Sequence, residues 1–82
     1  MAPVSGRVIV DCHRLLCPMP VIRVQDVVRT LAPGSLVEAR CSDPGALHDI
    51  PAWCRINGHR VLATRTTADD EYIVVVEVGE AE

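Results

Sequence analysis

The chain has 82 residues, a net charge of −3 and eight basic residues, all of them arginine. That length fits one domain, residues 1–82, which buries only roughly 60 to 65% of its unfolded surface and leaves little room for a deep substrate cavity. A composition of 49% hydrophobic and 23% charged residues excludes a disordered tail, and the acidic balance excludes an overall electrostatic pull toward nucleic acid or anionic membrane. The N-terminal MAPVSGRVIVD has neither a basic leader nor a signal-length apolar stretch, and no segment is long enough to cross a bilayer. The expectation is a cytoplasmic protein without a membrane partner. In a reducing compartment, Cys12, Cys17, Cys41 and Cys54 are expected as free thiols rather than as a disulfide framework.

Along the chain, VIVD from Val8 to Asp11 is a short apolar run ending in a charge, the pattern of a strand buried on both faces. From Val21 the apolar positions Val21, Val24, Val28 and Leu31 recur at helical spacing, and Ala32-Pro33-Gly34 stops the helix. LVEARCS then alternates, with Val37, Ala39 and Cys41 on one face and Glu38 and Arg40 on the other, predicting a second strand. Between Gly45 and Gly58 lie two candidate helix starts, Asp43-Pro44 and Asp49-Ile50-Pro51, and one broken helix is expected. Its apolar surface would come from Ile50, Trp53, Cys54 and Ile56, and Asn57-Gly58 would close it. HRVLATRT and EYIVVVEV, joined by a polar turn around Ala68-Asp69-Asp70, predict a terminal hairpin.

The order βαβαββ implies an α+β fold, a two-layer sandwich in which a four-stranded mixed sheet carries both helices on one face. The other face is left uncovered. EYIVVVEV is apolar on both parities, which suits either a central strand of modest exposure or an interaction surface.

The chemistry points to Cys17, which stands in LLCPMPVIRV directly before a helix. With Pro18 as the first helical residue and Cys17 as the cap, Pro18 and Pro20 occupy positions whose amide hydrogens have no partner inside a helix. The prolines stiffen the start, and the positive end of the helix dipole favours thiolate over thiol. A sulfur nucleophile is the functional reading. A small buried filler is the structural one, less fitting beyond the carboxyl end of a strand, where α/β sheets expose reactive groups.

Cys12 is either a strand-end structural residue or a resolving thiol for Cys17, while Cys41 and Cys54 read as core. His13, His48 and His59 lack the close pairing that structural zinc requires, so no metal and no cofactor is expected.

Asp11, six residues before Cys17-Pro18-Met19-Pro20, then the apolar-basic helix, Pro33-Gly34, Asp43-Pro44, Asp49-Ile50-Pro51, Cys54 and Gly58-His59, together resemble the TusA or SirA-like sulfur-carrier family. The likeness runs over roughly residues 8 to 79. It implies a fold like the C-terminal domain of translation initiation factor 3. It also implies a cytoplasmic sulfurtransferase that relays sulfur as a persulfide on Cys17, with Asp11, Pro18 and Pro20 in support, while Arg14, a departure from the family pattern, reads either as a group that supports the thiolate or contacts a partner's acid or as a solvated loop arginine. The donor would be a cysteine desulfurase or a rhodanese. The recipient would be a downstream acceptor protein, in transfer-RNA thiolation, molybdenum cofactor assembly or inorganic sulfur metabolism. Family members commonly carry glycine where this chain has Arg14, so another loop conformation is expected there.

Two other functions compete. A redox or regulatory domain of the same fold would link Cys12 to Cys17. An RNA-binding module is suggested by fold analogy alone, and the acidic charge and the two aromatic residues, Trp53 and Tyr72, speak against it. Nucleic acid is not expected as a direct partner.

Overall fold

The structure is a computed structural model that describes residues 7–16 and 18–79. The expectations placed on Cys17 itself lie outside the described residues. The elements follow the order β1 (Val8–Cys12), α1 (Met19–Val28), β2 (Leu36–Cys41), α2 (Ala46–Asn57), β3 (Arg60–Thr66) and β4 (Tyr72–Glu77). They form one four-stranded mixed sheet of order β1-β2-β4-β3. β1 runs parallel to β2, and β4 runs antiparallel to both β2 and β3.

The last strand enters the middle of the sheet because its sequence tolerates nothing else. Ile73, Val74, Val75 and Val76 are all buried, which suits a strand paired on both edges. β3, with its arginines and threonines, takes the edge, and a register shift between Val61 and Ala63 interrupts its pairing. β1 takes the other edge. Only Val10 and Cys12 of β1 are buried while Val8 and Ile9 are exposed, which corrects the expectation of a strand buried on both faces.

Val10, Cys12, Val37, Ala39, Cys41, Val74 and Val76 form the inner sheet face, packed with Val24 and Val28 of α1 and Ala46, Ile50 and Cys54 of α2. The two helices also contact each other, so both lie on this face. On the open face Ile73 and Val75 are nonetheless only 3% and 7% exposed. On β2, opposite Val75, Glu38 is buried and accepts from Arg7 Nη1 at 2.9 Å and from Arg40 Nε at 2.8 Å.

α1 begins one residue later than predicted. Met19 is its first residue and Pro18 occupies the cap with φ −95° and ψ 15°, so Pro20 falls at the second position rather than the third. In α1 the prolines are still confined to sites without an intrahelical donor. α2 is one continuous helix, not a broken one: it starts after Asp43-Pro44, and Pro51 lies inside it. Asp43 Oδ1 accepts from the Gly45 amide at 3.1 Å, which makes the first of the two candidate starts the working one. Ile56 does not join its apolar surface and is 82% exposed. Gly58 ends the helix in the left-handed region at φ 82°, where glycine carries no Cβ penalty.

Candidate active-site loop at the carboxyl end of the first strand

β1 and β2 end level with each other, Cys12 opposite Cys41, and β4 begins at the same height, Tyr72 opposite Cys41. The loop that leaves β1 and leads through Pro18 into α1 therefore lies over three strand ends. This pole collects the groups that shape the loop.

His13 is its anchor. Its Nδ1 lies 2.8 Å from Asp11 Oδ1 and its Nε2 lies 2.8 Å from Glu71 Oε2, so the ring ties the loop to the residue preceding β4. The His13 amide donates to Asp11 Oδ1 at 3.0 Å. That backbone hydrogen bond is the main reason the Asp11 carboxyl is held below the usual carboxylate range, outweighing burial, with the His13 ring and the Arg23 charge adding to it.

Arg14 follows with φ 67°, in the left-handed region that glycine occupies without cost. The loop thus adopts a glycine-type turn with arginine in it, and the Arg14 amide donates to Ser42 Oγ at 2.8 Å, fastening the loop to the exit of β2. The Leu15 amide returns to the Cys12 carbonyl at 3.3 Å, and the Met19 amide to the Leu16 carbonyl at 2.8 Å. One first-turn donor, the Met19 amide, is thus committed, while the dipole of the ten-residue helix points its positive end at this loop.

Three thiols are accounted for. Cys12, Cys41 and Cys54 are buried, at 0%, 0% and 1% exposure, and none is in a disulfide with another described residue. Burial pushes the Cys54 thiol up to about 11. Cys12 is moved the other way, chiefly by a hydrogen bond with the Cys41 side chain, and its Sγ lies 3.9 Å from the Pro20 carbonyl oxygen under the start of α1. Of the residues singled out in the sequence, Asp11, Arg14, Pro18 and Pro20 are brought to this one pole. Ser42, Glu71 and Arg23 were not singled out, and His13 was weighed only as a metal ligand. His13 is 58 residues from Glu71 and Arg14 is 28 from Ser42, so no local pattern could pair them.

A two-layer sandwich with a stiffened loop at a strand end defines a class of small α+β domains, and comparison places the chain within it. A family model described as Sulfurtransferase TusA matches residues 8–78. The sulfur carrier protein TusA of Pseudomonas aeruginosa is 38% identical over 60 residues, covering 73% of this chain and 76% of that protein. YrkI of Bacillus subtilis is 33% identical over 61 residues, covering 74% of this chain and 81% of that protein. The crystal structure of a SirA-like protein from Desulfitobacterium hafniense superposes with a TM-score of 0.79 at 18% identity, covering 89% of this chain and 99% of that one, and shares the fold. The chain belongs to the TusA family of sulfur carriers.

Proposed function

We propose that the protein accepts sulfane sulfur as a persulfide on Cys17 and passes it to a downstream acceptor protein. The observation that carries this reading is the burial of the other thiols: with Cys12, Cys41 and Cys54 sealed in the core, sulfur chemistry in a TusA-family chain with four cysteines falls to Cys17. The loop before it is held at three strand ends and opens a helix whose dipole favours an anion, which supports a reactive thiolate.

In the forward step the Cys17 thiolate attacks the outer sulfur of a donor persulfide, supplied by a cysteine desulfurase or a rhodanese. A sulfur–sulfur bond forms on Cys17, the donor's own sulfur–sulfur bond breaks, and the donor cysteine departs as thiolate with the electron pair. An acceptor thiolate repeats the exchange in the second step. Neither step needs a metal or an external oxidant, and the protein works as a relay in the cytoplasm rather than as an independent multi-turnover enzyme. Pro18 and Pro20 stiffen the helix start, and Asp11 and Arg14 support the loop through His13 and Ser42.

The redox alternative requires Cys12 to exchange with Cys17, and the full burial of Cys12 opposes it. The RNA alternative requires exposed stacking rings, whereas Trp53 and Tyr72 are both packed against the core. Incubation with a desulfurase and cysteine, followed by mass spectrometry, tests the proposal. The peptide bearing Cys17 gains the mass of one sulfur atom, Cys17→Ser abolishes the gain, and Cys12→Ser leaves it intact. Sulfur found only on another cysteine, or on none, overturns it.

A further inference from the structure

At the pole opposite the Cys17 loop, the C-terminal ends of α1 and α2 diverge above the end of β4 and leave a groove of about 650 Å³. That is within the range of roughly 300 to 1,000 Å³ typical of small-molecule sites. Its apolar lining includes Val28, Trp53 and Val78, with Trp53 held by the His59 ring at a centroid distance of 4.9 Å and an interplanar angle of 32°. Ile56, 82% exposed, stands at its rim.

Among the described residues, the charges lining the groove are of one sign. Arg29 and Arg55 line it, and no aspartate or glutamate does among the described residues, although the whole chain carries a net charge of −3. Arg29 Nη1 reaches only Asp26, at 4.0 Å, with both side chains 68% exposed, and Arg55 makes no ion pair with a described residue. Such an exposed pair contributes little and leaves the guanidinium available. The two helix C-termini carry partial negative charge, which repels a bare anion from the backbone. The guanidinium groups are the charged donors that can meet an anionic head, and the apolar lining beside them suits an apolar body.

We propose that this groove binds a small amphipathic anion, an alkyl or aryl body lying on the Trp53 floor with one carboxylate-type head met by Arg29 and Arg55. The site is separate from Cys17 and stands or falls independently of sulfur transfer.

Trp53 is the one tryptophan of the chain, so its fluorescence reports occupancy directly. Decanoate, titrated below its micellar range, gives a saturable change with a 1:1 end point. Decanol, the same body without charge, and inorganic phosphate, a head without a body, bind at least tenfold more weakly. Replacing both exposed arginines, Arg29→Gln with Arg55→Gln, weakens decanoate roughly tenfold or more at an unchanged unfolding temperature, the loss expected when a charge-assisted contact is removed. Cys17→Ser binds decanoate like the parent protein. The proposal is overturned by a Trp53 signal that does not saturate, by decanol or phosphate binding as tightly as decanoate, or by an affinity indifferent to the two arginines.

Discussion

The Nε2 atom of His13 lies 2.8 Å from Oε2 of Glu71, and this contact joins the loop after β1 to the residue before β4 across 58 positions of sequence. Glu71 is the less exposed partner, at 21% against 43% for His13, so the bond is partly shielded from water. Together with the Arg14 amide on Ser42, it sets where the loop leads into α1. Glu71→Gln and Ser42→Ala are expected to slow sulfur loading of Cys17 roughly three- to tenfold, the kinetic equivalent of losing about one hydrogen bond of positioning. The check is the rate of persulfide formation set beside the unfolding temperature. A loading rate equal to that of the parent protein would show that the anchor has no role in the chemistry.

Thiol accessibility gives a second prediction. In the native state iodoacetamide is expected to modify Cys17 alone, while Cys12, Cys41 and Cys54 react only after denaturant opens the core. Cys54, whose thiol is pushed up to about 11 by burial, is expected to be unreactive for as long as the core stays closed. Intact-mass measurement with peptide mapping settles the order.

Glu38 governs acid stability. Burial alone would raise its carboxyl, but the hydrogen bonds and charges of Arg7 and Arg40 outweigh that and hold it below the usual glutamate range. A depressed carboxyl stabilises the fold above the ordinary glutamate value of about 4.3, and the contribution is lost as pH falls through the lower folded value. Thermal unfolding followed from pH 7 toward pH 3 should therefore show a steep loss below about pH 5 in the parent protein. Glu38→Gln is expected to begin roughly 5 to 15 °C lower at pH 7 and to lose less on acidification, since half-exposed arginines limit the pair to about 1 to 2 kcal/mol.

Two isoleucines on one helix should behave oppositely. Ile50 is fully buried and Ile56 is 82% exposed. Ile50→Ala leaves a cavity and is expected to cost about 2 to 5 kcal/mol, enough to unfold much of so small a domain. Ile56→Ala should stay within about 0.5 kcal/mol. Urea denaturation measures both.

Much of this architecture is legible in the sequence where a period decides it. The alternation of Val37, Ala39 and Cys41 fixes the inner face of β2, and turn residues fix the order of the elements. Period was not enough at Ile56. It follows Cys54 by two positions, about 200° around a helix, so hydrophobicity alone placed it on a face that the fold turns to water. The edge position of β1 was hidden for a related reason: VIVD carries no polar alternation, and strand order is decided by long-range pairing. At the site, the Cys-Pro-x-Pro string and Asp11 were readable. His13 with Glu71 and Arg14 with Ser42 were not, because only the folded sheet brings those pairs together.

β1 holds the sheet by one neighbour only, with five residues paired to β2, whereas β2 and β4 are each flanked on both sides. Amide hydrogen exchange should therefore be slowest in β2 and β4 and markedly faster in β1, whose fraying does not require the centre to open. The loop that leaves β1 is thus tethered to a margin of the sheet rather than to its centre.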